Sequence, residues 1–269
     1  EAISKGAIAI LTNKYFKGVS IDQYVVEDVN LSIRLLLNKL YPKRPINSVA
    51  ITGTNGKTSV AWYISQICLL NKVPLKTLGT LGYYIDNKKI KNSNLTTPNF
   101  EIIFQSAFSK KENKYSFVFE ASSHAIDQNR FIGFPVDIAA ITNVTQDHLD
   151  YHQNMKNYQK TKFNLFIKYL NENGYAIINN NINNIDYLKK KINKNVKIIS
   201  YGNNKSDINL SIENKDIKIK FFKESYLIKS YFLNSINLEN ISCAISCCVC
   251  LNLEIKKILK IITKITNPP

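Results

Sequence analysis

Long apolar runs are missing from this chain of 269 residues. Its cleanest stretches, such as residues 241–251, are too short and too polar-interrupted to span a bilayer as a helix, so no membrane insertion is expected. The opening Glu1-Ala2-Ile3-Ser4-Lys5 has no basic start followed by an apolar segment, and no secretory leader is expected from it. Arginine is scarce, with only Arg34, Arg44 and Arg130, while the lysines are dispersed and do not interleave with aromatics in any run. Despite a formal net charge of +16, nucleic acid is therefore not an expected partner. The surplus charge favours small polyanions instead. Cysteine pairs at metal-ligand spacing are also missing. Cys68 stands alone, and Cys243, Cys247, Cys248 and Cys250 form no C-x-x-C and have no histidine nearby. Cys243, Cys247 and Cys250 fall on one helical face, as small core residues would. An odd number of unpaired thiols suits a reducing, cytoplasmic setting.

What is present is a globular composition, 45% apolar and 21% charged, long enough for one large domain plus a fragment or for two small domains. Residues 1–43 offer a buried strand at 7–11 and a helix through Leu31, Leu35, Leu36 and Leu40. That is too little to stand alone, so they are expected to end a domain whose first part precedes them. Pro42 and Pro45 make 41–45 a linker. From residue 46 strands and helices alternate. Strands are expected at 48–52, 74–80, 117–120, 136–142, 174–179 and 196–201, with a small hairpin over 83–88. Helices are expected at 60–70, 158–170 and 182–192, and after Thr97, with Pro98 in the first turn. Such alternation predicts an α/β fold, a mostly parallel sheet with flanking helices. Period-2 alternation over 207–232 adds a small antiparallel part, and 237–265 reads as two helices. The expected division is 1–43 and 44–269.

Residues 53–59, Gly-Thr-Asn-Gly-Lys-Thr-Ser, join the first of those strands to the first helix. Strand, glycine turn and helix N-terminus form a cradle for phosphates, because glycine permits close backbone approach and the free N–H groups of the first helical turn point outward. Lys57 would reach the β/γ-phosphates and the Thr58 hydroxyl would ligate Mg²⁺. The generic spacing G-x-x-x-x-G-K-[ST] fails, since the position of its first glycine is Ile51. Only two residues separate Gly53 from Gly56.

Other strand ends carry polar groups to the edge where ligands bind in parallel sheets. Glu120 closes one strand and suits Mg²⁺ chemistry near a phosphate loop. Residues 142–152 gather His148, His152, Asp147 and Asp150; with a phosphate loop nearby they argue for Mg²⁺ and nucleotide over zinc. Thr96 and Thr97 precede a helix, where they could cap it or bind a substrate phosphate; both readings stand.

The shortened loop resembles that of the Mur ligase superfamily, the amide-forming enzymes of peptidoglycan stem-peptide synthesis, and of their folylpolyglutamate synthetase relatives. Glu120-Ala-Ser-Ser-His-Ala-Ile-Asp-Gln-Asn-Arg130 and Asn143-Val-Thr-Gln-Asp-His-Leu-Asp-Tyr-His152 resemble segments of the ligases that add the third stem-peptide residue to UDP-N-acetylmuramoyl-dipeptide. With residues 53–59, Thr96-Thr97-Pro98 and Asn237-Leu-Glu-Asn240, five motifs fall in family order; later folylpolyglutamate synthetase motifs find no match. The resemblance implies that Gly53, Thr54, Asn55, Gly56, Lys57, Thr58 and Ser59 hold ATP, with Asn240 contacting the nucleotide. It implies one Mg²⁺ on Thr58 and Glu120 and another on His148, with Lys162 a Mg²⁺ ligand once carbamylated. Thr96, Thr97, Ser122, Gln128 and Arg130 would bind the UDP-muramoyl-dipeptide, and Lys57, Glu120, His148 and Lys162 would serve catalysis through an acyl phosphate. Apart from the motif, Lys162 reads as a solvated helix lysine. The resemblance further implies a monomer, a UDP-binding origin for 1–43, and an amino-acid-binding third domain absent here. Leu95 departs from a polar contact of some members, and Asn234 replaces a glycine. Another ligase of the superfamily, or a fragment that binds without ligating, are the other readings.

Overall fold

A computed structural model describes residues 3–214, 216–228 and 237–269. In chain order the elements are β1 (Ala9–Thr12), β2 (Asp22–Val25), α1 (Val29–Leu40), β3 (Ser48–Thr52), α2 (Lys57–Leu70), β4 (Leu75–Gly79), β5 (Gly82–Ile85) and β6 (Lys88–Lys91). There follow α3 (Phe100–Ala107), β7 (Ser116–Glu120), α4 (Ser123–Asp127), β8 (Val136–Ile141), α5 (Leu149–His152), α6 (Met155–Asn164), β9 (Leu170–Asn179) and α7 (Ile185–Lys191). The chain continues through β10 (Lys197–Tyr201), β11 (Ile208–Glu213), β12 (Asp216–Phe221), β13 (Glu224–Ile228), α8 (Leu238–Cys250) and α9 (Ile255–Ile261).

One sheet runs β13-β12-β11-β10-β9-β8-β3-β7-β4-β5-β6. From β11 to β4 neighbouring strands are parallel; the pairs beyond each end are antiparallel. The expected antiparallel part is thus an extension of the main sheet, and the 83–88 hairpin extends its other edge. Residues 229–232 of the expected antiparallel stretch, and Asn234, lie outside the described residues.

β3 lies between β7 and β8, and its side chains divide by period two. Val49 and Ile51 join a core with α2 and α8, while Ala50 joins the opposite core with Phe104, Phe117 and Phe119. Cys243, Cys247, Cys248 and Cys250 are buried and unpaired in the first core, as their helical spacing predicts. Covering helices on both faces leave the carboxyl ends of β3, β7 and β8 as the place where loops can gather.

Several expectations need correction. The segment at 7–11 is not a buried strand: β1 pairs only with β2, away from the main sheet, and Ile8 is 87% exposed. Within α1 the repeat Leu31, Leu35, Leu36, Leu40 is exposed and Leu37 alone is buried, packed toward α3. Pro98 precedes the cap Asn99 of α3 and is not in the first turn. The helix expected over 158–170 begins at Met155, because Asn154 accepts from Asn157 N–H at 2.9 Å and caps it. It then widens into a π-helical turn over Leu165–Tyr169. That turn swings the Tyr169 hydroxyl onto Ile126 O at 2.9 Å and Asn129 Oδ1 at 2.7 Å, bonding the helix end to the residues around α4.

Burial separates the leucines of α1 experimentally. Leu37→Ala is expected to lower stability by about 2–4 kcal/mol in urea unfolding, and Leu35→Ala by less than about 0.5.

Candidate active site

The loop between β3 and α2 is shaped by what presses on it. Gly56, at φ +88°, caps α2; a Cβ there would lie 2.5 Å from Asn240 Oδ1, so α8 seats its first turn directly on this glycine. Asn55 N–H donates to Asn143 Oδ1 at 3.0 Å, and Thr142 Oγ1 donates to Asn55 O at 2.6 Å. Thr54 Oγ1 lies 3.1 Å from the Tyr158 hydroxyl and accepts from Thr145 N–H at 3.1 Å. Residues 142–145 and α6 therefore hold the loop from one side, and α8 from the other.

Two lysines meet inside it. Lys57 Nζ donates to Gly53 O at 2.8 Å and Thr54 O at 2.9 Å. Lys162 Nζ reaches the same Gly53 O at 2.9 Å and lies 4.4 Å from the Tyr158 ring centroid. Lys162 is 1% exposed, so the solvated-lysine alternative fails. Burial drives its amine well below the ordinary lysine value, and the Lys57 charge adds to that. Burial also lowers Lys57, against the pull of Glu120 and Asp147.

Glu120, at the end of β7, is buried. It accepts from Thr58 Oγ1 at 3.0 Å and from Thr80 N–H at 2.8 Å; the Thr80 hydroxyl lies 3.1 Å from its Oε2. Burial raises its carboxyl above the ordinary range, with these bonds opposing. The pair Thr58–Glu120 offers hydroxyl and carboxylate oxygens side by side, a donor set that fits a hard divalent cation such as Mg²⁺. Lys162, as an ammonium, has no lone pair to give and would enter such a set only after conversion to an anion.

A second cluster flanks the first. Thr97 Oγ1 donates to Glu120 O at 2.7 Å and lies 3.1 Å from Ser122 Oγ, which caps α4. Arg130 donates to Thr97 O at 2.6 Å and forks onto Gln128 Oε1 at 2.9 and 2.7 Å. His148, left-handed at φ +51°, opens α5 and packs edge-on to His124, ring centroids 4.9 Å apart. His152 is buried against Tyr158, and its Nε2 has no hydrogen-bond partner.

The family description Mur ligase middle domain matches residues 51–248. This chain belongs to the Mur ligase family. It is 37% identical over 256 residues to the UDP-N-acetylmuramoyl-L-alanyl-D-glutamate–2,6-diaminopimelate ligase of Rickettsia montanensis, covering 91% of this chain and 53% of that protein. A solved structure bearing that ligase name superposes at a TM-score of 0.79 with 24% identity, over 100% of this chain and 56% of the other. A MurF ligase from Thermotoga maritima in complex with ADP superposes at 0.66 with 18% identity, over 100% of this chain and 59% of that one. These two structures are likenesses of fold. The chain spans about half the length of the curated relatives it matches.

In this Mur ligase chain the residues singled out in the sequence fall at one sheet edge. Residues 53–59 sit at the end of β3, with Ser59 in the first turn of α2; Glu120 ends β7, and Asn240 abuts Gly56. Lys162 reaches the loop from α6, and Thr96 Oγ1 is 3.2 Å from Thr80 Oγ1.

Other contributors were missed. Gly79 lets Glu120 lie against β4, since a Cβ there would meet Oε1 at 2.1 Å. Thr80 follows a strand end, the same signal that marked Glu120. Asn179 closes the expected strand 174–179 and carried that signal too, Glu239 lies inside the motif 237–240, and Tyr158 carried none. Asn179 Nδ2 joins Thr142 O at 2.7 Å to Glu239 Oε2 at 2.8 Å, a contact across 60 residues of chain.

A base whose folded pKa is depressed weighs on the fold at neutral pH and ceases to do so as pH rises toward the ordinary lysine value of about 10.4. Lys162→Met leaves Gly53 O still bonded to Lys57. It is expected to raise the melting temperature at pH 7, with the gain over wild type shrinking as the melts are repeated up to pH 10.

Proposed function

We propose that this chain is the ATP-handling part of a ligase that extends UDP-N-acetylmuramoyl-L-alanyl-D-glutamate by a third stem-peptide residue. The observation that carries the reading is the convergence of Lys57, Lys162 and the Thr58–Glu120 pair at one phosphate loop. The names of its relatives favour 2,6-diaminopimelate over lysine as the incoming amino acid. A cytoplasmic, monomeric enzyme is the accompanying expectation.

Residues 53–59 would bind the ATP phosphates through backbone N–H groups, with Lys57 turning from its own carbonyls to the β/γ-phosphates. Thr58, Glu120 and His148, with carbamylated Lys162, would hold Mg²⁺, which offsets charge on the phosphoryl oxygens when bound. Thr96, Thr97, Ser122, Gln128 and Arg130 would hold the sugar-nucleotide peptide, the Arg130 fork suiting a carboxylate or phosphate. The dipeptide's carboxylate oxygen attacks the γ-phosphorus and ADP leaves, giving an acyl phosphate. The incoming amine then attacks the carbonyl carbon, loses a proton and expels phosphate. The chain's contribution is alignment and the positive charge of Lys57, the group that has to turn. The reading also expects a further domain to present the amino acid.

Lys57→Ala is expected to abolish ATP binding in calorimetry while the fold persists; unchanged affinity would mean that the loop does not hold phosphates. The reaction itself is tested by phosphate release with ATP, Mg²⁺, UDP-muramoyl-dipeptide and either diaminopimelate or lysine. The isolated chain is expected to show no amino-acid-dependent turnover, whereas the protein at its natural length turns over with diaminopimelate. Turnover by the isolated chain would overturn the need for a further domain.

A further inference from the structure

The two halves of the site are joined by a side chain that the proposed mechanism does not use. Tyr151 lies on α5, three residues after His148. Its hydroxyl donates to Asp127 Oδ2 at 2.8 Å, at the end of α4, and accepts from Gln128 Nε2 at 3.5 Å. Its ring lies against His124 of α4, centroids 4.3 Å apart, and His124 in turn packs on His148. Gln128 passes the link onward, because its Oε1 takes both Arg130 nitrogens and Arg130 holds Thr97 O. A continuous chain of contacts thus runs from the His148 loop through Tyr151 to the backbone carbonyl of Thr97. α4 and α5 are only about one turn each; both contact α6, and the Tyr151 bonds add a direct link between them.

We infer that Tyr151 is a positioning residue: through Asp127 and Gln128 it fixes the Gln128–Arg130 fork relative to the His148 loop, and so sets the affinity for the sugar-nucleotide peptide. This rests on the reading that Gln128 and Arg130 bind that substrate. Asp127 accounts for the preference for a phenol. Its carboxylate needs a donor, which the Tyr151 hydroxyl supplies, and the hydroxyl's lone pairs remain free for the Gln128 amide. Phenylalanine would keep the ring against His124 and lose both bonds. The fork would then pivot on Thr97 O alone.

The test is steady-state kinetics on the protein at its natural length. Tyr151→Phe is expected to raise KM for UDP-muramoyl-dipeptide by about three- to tenfold, the worth of one or two such bonds. KM for ATP, kcat and the melting temperature are expected to stay near wild type. Asp127→Leu should reproduce this effect and Asp127→Asn, which keeps an acceptor oxygen, should largely rescue it. The double variant Tyr151→Phe/Asp127→Leu should be no worse than either single change. A wild-type KM in Tyr151→Phe, while Arg130→Ala raises KM, would refute the positioning role and leave the substrate reading intact. A proportional rise in both KM values with a lowered melting temperature would also refute it, as general loosening. If Arg130→Ala leaves KM for the dipeptide unchanged, the substrate reading itself fails.

Discussion

The carbonyl oxygen of Gly53 accepts hydrogen bonds from two lysines, and much of the site follows from that crowding. Two ammonium groups so close repel, and burial denies both the water that would stabilise them. Burial is the larger cause and lowers both pKa values, and the Lys57 charge adds to the fall at Lys162. Glu120 and Asp147 are the acids acting against the effect of burial on Lys57, and burial pushes Glu120 itself toward its neutral form. A fold optimised for stability alone would place apolar side chains here. Keeping cations at this point is a standing cost that a polyanion would relieve, which links the lysine geometry to nucleotide binding more closely than any single hydrogen bond.

That stored charge requires a rigid frame. Tyr158 supplies part of it, with its hydroxyl on Thr54 and its face toward Lys162 and His152. Asn179 ties the end of β8 to α8 through Thr142 O and Glu239, and α8 presses Asn240 onto Gly56. The loop is therefore held by three distant parts of the chain, and its shape is a property of the whole sheet edge.

How much of this could be read from the sequence depended on the range of the interaction. Gly56, Lys57 and Thr58 fall within one turn, and the strand before them is a plain apolar run, so loop and element order were legible. Glu120 was legible because a carboxylate closing a buried apolar strand needs donors or a cation at the sheet edge. The burial of Lys162 was invisible locally, since its helix has mostly polar neighbours and only the three-dimensional approach of α6 to β3 desolvates it. The exposed leucines of α1 misled for the opposite reason. Helical periodicity reports an apolar face, but only packing decides what meets it, and α3 meets Leu37. The π-helical turn at Leu165–Tyr169 likewise answers to Ile126 and Asn129, about forty positions away, and no local propensity encodes it.

Order and adaptability in this site divide along the same line. The groups proposed to face phosphate hang from β3, β7 and α2, elements buried in two cores, so their backbone positions are set before any ligand arrives. The groups proposed for the sugar-nucleotide side, Thr96, Thr97, Ser122, Gln128 and Arg130, lie before α3 and around α4, a short segment aligned by side-chain bonds as well as by its buried Ala125 and Ile126. Where the rigid half meets the soft half, the contacts run through Thr97, whose hydroxyl rests on the backbone of Glu120 and whose carbonyl holds Arg130. Thr97 is 1% exposed and links carboxylate and fork through these two bonds. Of the two readings its sequence position allowed, the cap is taken by Asn99, and the substrate contact stays the proposed one beside the bonds of Thr97 to Glu120 O and Arg130.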